Sequence, residues 1–329
     1  MNLIAVLLAL ICEQLKPLPH GNPVHQGMIA WVRWTGRNFD AGRSHHAAVV
    51  WSITVVGPAL LVGLLAMLLH RYSLVLSLVL DVLVLYLTLG FRQFSHYFTD
   101  IRDALERGDE LEARRLLAEW RHLDASELPR TELLRHVVEH SLLAAHRHVF
   151  GVFFWFVLLS ALGLGPAGAV LYRMAEFAGR YWAFKNRTLD APTNERLMQL
   201  SRRLFGLIDH VPARLTATGF AIVGNFEEAV NGWRRDAALW AHSNEGIILA
   251  AAAGAVGVQL GGSAAPGVTP DRSKTFEAGG DMDSTRAEGS TGGQPPQLGH
   301  LQSVVGLVWR SVVLWMLLMG LLRAANMLG

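Results

Sequence analysis

Apolar residues in this chain gather in long runs separated by polar stretches, and the lengths of the runs predict membrane-crossing helices. The clearest run, Ala48 to Leu69, has no charged residue over 22 positions. At about 1.5 Å per residue such a helix crosses a hydrocarbon core about 30 Å thick. Pro58 lies inside it and predicts a kink. After Arg71 and Tyr72 a second run, Ser73 to Gly90, carries Asp81 near its middle, so the two read as a tight transmembrane hairpin. Val149 to Leu171 opens on aromatic residues and closes on small ones around Pro166, which leaves both a crossing and a re-entrant pair of half-helices open. Gly246 to Gly262 is rich in Ala and Gly, too weakly apolar to face lipid all round and suited to close packing inside a bundle. Ser311 to Leu322, preceded by Val304 to Trp309, forms the last run, in which Arg310 must snorkel or pair. The short run Leu3 to Cys12 has no basic residue before it and no small-x-small site after it, and reads as a retained first helix.

The polar stretches differ in character. Residues 91–148 are helical by pattern, with Ile101, Leu105, Leu111, Leu116 and Leu117 among many Arg and Glu and a turn at Gly108-Asp109, which predicts a solvated helical module. Residues 173–203 hold seven Arg or Lys against three acids, the bias of a cytoplasmic segment. Residues 263–300, rich in Gly, Ser, Thr and Pro with five acids and three bases, cannot bury a core and are predicted to be a disordered loop. The expected plan is a membrane-embedded bundle over 1–262 that includes the polar module at 91–148, the loop at 263–300, and a C-terminal membrane helix over 301–329. The fold class is all-α and polytopic, with about four to six membrane helices and amphipathic helical loops. If 16–47 and 91–148 lie inside, a single crossing at 149–171 would carry the basic segment outside. A re-entrant 149–171, broken at Gly163 to Pro166, is the preferred repair, and a further crossing at 204–223 is the other.

Composition narrows the function. Charged residues make up 17% of the 329, and 29 bases against 27 acids supply no field for nucleic acid, so none is expected as a partner; the lipid bilayer is. A single cysteine, Cys12, excludes an intrachain disulfide, a cysteine zinc site and an iron-sulfur cluster.

Four patterns carry candidate chemistry. His136-Val137-Val138-Glu139-His140 matches the H-x-x-E-H arrangement, in which two His one turn apart bind zinc and the Glu activates water. A chain with 14 His also produces this pentapeptide by chance in an amphipathic helix, so His136, Glu139 and His140 are the weaker candidate, for metal. Gly163 to Gly168 spells G-x-G-x-x-G, with Asp190 beyond it, but no strand precedes it and no βαβ pattern surrounds it, so a break and close helix packing are expected. Asp81 is either functional or a hydrogen-bonding contact between membrane helices. Asp209, His210 and Arg214 lie within two turns around Pro212, where they could hold a phosphate or carboxylate, or lock a kink through an Asp209–Arg214 pair.

The block Val211-Pro212-Ala213-Arg214-Leu215, then Trp233-Arg234-Arg235-Asp236, Ser243-Asn244 and the run from Ala253 to Gly262, resembles the C-terminal half of the CobD/CbiB cobalamin-biosynthesis membrane proteins. The resemblance implies a polytopic bacterial inner-membrane protein and an adenosylcobinamide-phosphate synthase, which joins an aminopropanol-type amine to adenosylcobyric acid using ATP and magnesium; a corrinoid would be the substrate. The family's acids are missing. Its Glu-Asn-Thr-x-Asp-Gly motif keeps Glu139 in front of it but falls on Leu143, Ala144 and Arg147; its Asn-Thr-Leu-Asp motif falls on Glu176 to Gly179, and its Asp-Asp pair on Phe205 and Gly206. A magnesium-nucleotide site needs such carboxylates. Leu10 to Leu15, and Asp209 through Ala221-Ile222-Val223-Gly224 and Glu228-Ala229-Val230 to Trp233, resemble AmpE, an inner-membrane protein associated with β-lactamase induction.

The sequence therefore implies a divergent synthase-type protein with its catalytic acids lost, needing ATP and magnesium only if the activity is kept. The alternative is a non-enzymatic AmpE-type signalling or regulatory protein, working with other membrane proteins. The expected ligand-binding residues are Glu139, Asp209, His210, Arg214 and Asn244, of which the first four are expected to converge at the cytoplasmic end of the bundle.

Overall fold

The structure is a computed structural model that describes residues 2–16, 23–39, 44–121, 124–188, 194–262 and 289–328. Its helices, in chain order, begin with α1 (Asn2–Leu15), α2 (Pro23–Phe39), α3 (Ser44–Trp51), α4 (Gly57–Tyr72) and α5 (Leu74–Thr88). Next come α6 (Phe91–Glu106), α7 (Glu110–Arg121), α8 (Arg130–Ala145), α9 (Gly151–Ala161) and α10 (Ala167–Thr188). The last are α11 (Glu195–Ile208), α12 (His210–Val223), α13 (Phe226–Asp236), α14 (Ser243–Val256) and α15 (Leu298–Leu328). Among the described residues there is no strand, only two isolated bridges, so the chain is an all-α helical membrane protein. Three helices are long and apolar enough to cross a membrane: His46–Tyr72, Arg130–Ala161 and Leu298–Leu322. Three shorter apolar helices accompany them: Leu3–Leu15, Leu74–Thr88 and Ser243–Val256.

The chain divides into two compact units, the first drawn from residues 1–93 and 147–209, the second from 94–146 and 210–329. In unit 1, α10 packs on α2, α4, α5, α9 and α11, and its Met174, Phe177, Tyr181 and Trp182 meet Val32, Val50, Trp51 and Val55 in a buried core. Pro58 distorts the first long span, which stays one helix from His46 to Tyr72. Its missing N–H frees the carbonyl of Thr54, four residues earlier; Trp31 Nε1 donates to that oxygen at 3.2 Å, and the backbone widens into a π-turn over Ser52–Val56. The Thr54 hydroxyl bonds the Val50 carbonyl at 2.6 Å and the Thr35 hydroxyl at 2.7 Å, so polar groups inside the span satisfy one another.

The run 149–171 is not one crossing. Its first half belongs to the 32-residue helix that starts at Arg130, and the break falls at Gly163 and Gly165, which have φ of +79° and +55°, before α10 begins at Ala167. Asp81 is buried on α5 with Oδ1 turned toward Gly165, and this oxygen has no hydrogen-bond partner. The segment 204–223 is also interrupted: α11 ends at Ile208, Asp209 caps it, and Pro212 lies in the first turn of α12, where a missing N–H costs nothing. Pro212 starts a helix rather than kinking one. Trp155 Nε1 donates to the Ile208 carbonyl at 3.1 Å, capping α11.

In unit 2, α6 and α7 form the expected pair about Gly108 (φ +79°) and Asp109, whose Oδ1 accepts from Glu112 N at 3.0 Å. Ile101, Leu105 and Leu117 are buried and Leu111 is exposed. The solvated reading fails beyond residue 132, because α8 is buried from Leu133 to Ala145, polar residues included. Helix α14 is buried from Gly246 to Ala253 between α12 and α13, with Gly232 and Gly254 at the α13–α14 contact, and it ends at Gly257 (φ +77°). Of the stretch 263–300, residues 263–288 lie outside the described residues, as does Asp190. Residues 289–294 pair with 257–262, and α15 begins at Leu298, three residues before the expected C-terminal helix. Arg310 is exposed and its Nε donates to the Gly306 carbonyl of its own helix at 3.1 Å.

A Cβ on Gly168 would overlap the Trp155 carbonyl, whereas one on Gly36 would meet nothing within 4 Å. Gly168→Ala is expected to lower stability by about 1–3 kcal/mol through overpacking, and Gly36→Ala to raise it by about 0.5–1 kcal/mol. Thermal unfolding of the two variants in detergent checks the opposite signs.

Candidate functional site

Helix α8 is built like a core helix but carries Arg135, His136, Glu139 and His140, all buried. Such residues need partners in place, because an unanswered buried charge is costly. Residues i and i+4 share a helix face, so Arg135 and Glu139 point the same way, with Arg135 Nε 4.0 Å from Glu139 Oε1. Both reach one residue of the glycine-rich loop after α14. Glu139 Oε1 accepts from Gly261 N at 2.7 Å, and Arg135 Nη1 donates to the Gly261 carbonyl. Gly261 has φ +76°, and a Cβ there would run into Gly289, so the approach requires glycine. Arg135 Nη2 is held in turn by Glu132. Arg121, at the end of α7 and 2% exposed, acts electrostatically on both His136 and Glu139.

The loop that receives this latch is tied across to residues 289–294. Thr291 N donates to the Leu260 carbonyl at 2.8 Å, Leu260 N to Thr291 Oγ1 at 2.8 Å, and Gln259 N to the Gln294 carbonyl at 2.8 Å. At the end of α13, Asp236 takes Arg235 Nε at 2.7 Å and Gly292 N at 3.4 Å, and the Arg235 bond holds its carboxyl below the usual range.

The metal candidate does not assemble. His136 Nδ1 lies 3.9 Å from Glu139 Oε2, while His140 is turned edge-on to Trp120 with ring centroids 4.4 Å apart. Among the described residues no group of three or more His, Cys, Asp or Glu is placed to hold a metal ion. Arg214 Nη1 donates to the His210 carbonyl at 2.9 Å and to Asn244 Oδ1 at 3.5 Å. Glu139 is committed to Gly261. Asp209, assigned to unit 1, accepts from Tyr172 Oη at 2.7 Å, and burial and this carboxylate push the Tyr172 phenol well above its usual range, so it stays a donor. Arg214 and Asn244, two of the expected residues, are thereby joined by a hydrogen bond. Arg121, Arg135 and Gly261 were missed. Only Arg135 had a signal, its i,i+4 spacing to Glu139.

The sequence matches the family described as CobD/Cbib protein over residues 2–285. A protein of Stutzerimonas stutzeri (strain A1501) named cobalamin biosynthesis protein CobD is 31% identical over 284 residues, covering 86% of this chain and 84% of its own. This chain belongs to the CobD/Cbib family. A protein of the same name from Chromobacterium violaceum is 33% identical over 226 residues, 66% of this chain and 68% of its own. Another, from Leptospira interrogans serogroup Icterohaemorrhagiae serovar Lai, is 26% identical over 266 residues, 79% of this chain and 81% of its own. No solved structure matches.

Removing the latch carboxylate is expected to be severe. Glu139→Ala leaves Arg135 and the Gly261 N–H without their partner and should cost about 3–5 kcal/mol, whereas Glu139→Gln keeps an acceptor and should cost less. Thermal unfolding in detergent and protease sensitivity of the 258–294 loops check both.

Proposed function

We propose that the chain is a multi-pass bacterial inner-membrane protein of cobalamin biosynthesis that has kept the CobD/Cbib scaffold and lost magnesium-nucleotide ligation. The family match and the CobD relatives support the link to cobalamin biosynthesis, with a corrinoid as the partner class. What supports the loss is the state of the carboxylates at the positions that the family resemblance marks. Leu143 and Ala144 are buried apolar residues, Arg147 is a cation, and Glu176 is clamped by Arg173 at 3.0 Å and by Arg180. Glu139, the acid that remains, is spent on a backbone N–H. Magnesium needs carboxylate oxygens free to face it beside phosphates, and these residues do not fit that ion. ATP has no metal-bridged site among them.

The same clamped carboxylates favour a second reading, an AmpE-type membrane protein that acts in β-lactamase induction or cell-wall stress without catalysis. One experiment separates the two. The gene is introduced into a strain lacking adenosylcobinamide-phosphate synthase, and the purified protein is tested for ATP consumption with adenosylcobyric acid and aminopropanol phosphate. The expected result is no rescue and no ATP consumption, with a deletion strain showing altered cobamide levels. Rescue would overturn the loss of ligation. Unchanged cobamides together with an altered response to a β-lactam would replace the cobalamin reading by the second one.

A further inference from the structure

Helix α5 sorts its residues by side. Ser77, Asp81, Val84 and Leu85 share one face and are buried, while Leu74, Val75, Leu76, Val79 and Leu83 are exposed, the pattern of a helix with protein on one side and lipid on the other. Asp81 is the one charged residue of α5 and is 5% exposed. Three elements of unit 1 close over it. Ala66 of α4, 3% exposed, meets Gly165 of the α9–α10 turn there: a Cβ on Gly165 would come within 2.7 Å of Ala66 Cβ and 3.5 Å of Asp81 Oδ1. One turn earlier on α4, a Cβ on Gly63 would lie 3.3 Å from Ala167 Cβ and 3.7 Å from the Leu164 carbonyl, so small residues bring α4 against the turn along its length.

An ionised Asp81 is badly matched to this corner. Its Oδ1 accepts no hydrogen bond, from the turn or from elsewhere. A carboxylate can only accept, and the last carbonyls of α9, which have no partner within their helix, can only accept as well. The turn already draws on one side-chain donor, since Ser160 Oγ donates to the Gly165 carbonyl at 3.0 Å. A neutral carboxyl would bring a second donor, its own O–H, and would spare the corner an unanswered buried charge. Around it, α5 packs on α1, α4 and α10. The terminal amine ahead of α1 and the exposed His70 in the last turn of α4 act on Asp81 electrostatically, without a hydrogen bond to Oδ1. Glu13 on α1 and Arg71 on α4 are the other charged groups of those two helices, and the stretch from Gly163 through Val170 has no titratable side chain.

We propose that Asp81 is a proton-binding site, whose carboxyl group holds a proton in the corner of α4, α5 and the α9–α10 turn and offers it to the turn. A divalent metal ion would ask for several oxygen ligands, and no group of acids or His gathers there among the described residues. Loss of the proton sets a bare carboxylate against backbone that gives it no N–H, so the proton is what keeps the three elements closed on one another. The site stands apart from the cobalamin reading, since it needs neither a corrinoid nor a nucleotide.

The test uses the full chain in neutral detergent. Infrared spectra of the wild type and of Asp81→Asn are compared at neutral pH, because the C=O stretch of an un-ionised acid is separate from the bands of a carboxylate. The expected difference is the loss of one acid band in the variant; in the wild type that band fades as the pH is raised and a carboxylate band grows. His70→Gln should keep the acid band, which ties it to Asp81 rather than to the neighbouring imidazole. The amide keeps the size and neutrality of the protonated acid and also donates, so Asp81→Asn is expected to unfold at the wild-type temperature or above it. A hydrophobic carbodiimide, which adds to carboxylic acids in apolar surroundings, supplies a measurement that needs no variant: peptide masses of the treated wild type should place the label on Asp81 at neutral pH, with less of it at raised pH. Carboxylate bands in place of the acid band at neutral pH, an unlabelled Asp81, or an Asp81→Asn protein that unfolds well below the wild type would overturn the proposal.

Discussion

A carboxylate buried in a helix of membrane length has to be answered by donors within reach, and in this protein Glu139 is answered by a single loop residue. Gly261 offers its N–H to Glu139 and its carbonyl to Arg135, so both backbone polar groups of one residue are taken by two side chains one turn apart on α8. The path of the loop around Gly261 follows from those two hydrogen bonds. The loop must come close, which requires glycine at a positive φ; α14 must end just before it, which Gly257 allows; and residues 289–294 must lie alongside to satisfy the loop's remaining backbone groups. The polar side of α8 can then be buried as well as its apolar side, because Arg135 and Glu139 are answered in place.

The same logic governs the breaks in unit 1. Pro58 removes a donor from a span, and the indole of Trp31 restores it at Thr54. At the α9–α10 turn the chain reverses through two glycines and brings backbone against backbone at Gly168. Irregular backbone survives at such depth only where protein groups replace the lost hydrogen bonds, and here the replacing groups are aromatic N–H donors at Trp31 and Trp155.

Much of this was legible in the sequence because run length and residue size carry it. The spans near 48–69 and 311–322, the turn at Gly108-Asp109, the break at Gly163 to Pro166 and the buried Ala/Gly helix all follow from local composition. The fate of α8 did not, since its polar content reads as a solvated face unless the distant Gly261 and Arg121 are known to meet it. Pro212 misled for a related reason: a proline in an apolar stretch reads as a kink until the helix start at His210 shows it within a first turn. For the site, the i,i+4 pair Arg135–Glu139 was readable, whereas the Tyr172–Asp209 bond joins residues 37 apart and leaves no local trace.

Charge scarcity takes on a different meaning once the side chains are placed. Arginine stands beside three of the buried acids among the described residues: Arg135 near Glu139, Arg173 and Arg180 on Glu176, and Arg235 on Asp236. Guanidinium is always charged and donates through a fixed fork, so it occupies the carboxylate lone pairs that a divalent cation would otherwise take. The proposed loss of magnesium binding rests on this arrangement, because the bonds that occupy Glu176 and Glu139 also tie helices and loops together. On that proposal, returning an acid at Leu143 or Ala144 would not be enough to bind magnesium; Glu176 would also have to be released from Arg173 and Arg180 and Glu139 from the Gly261 N–H, at a cost in the packing of α10 and α8.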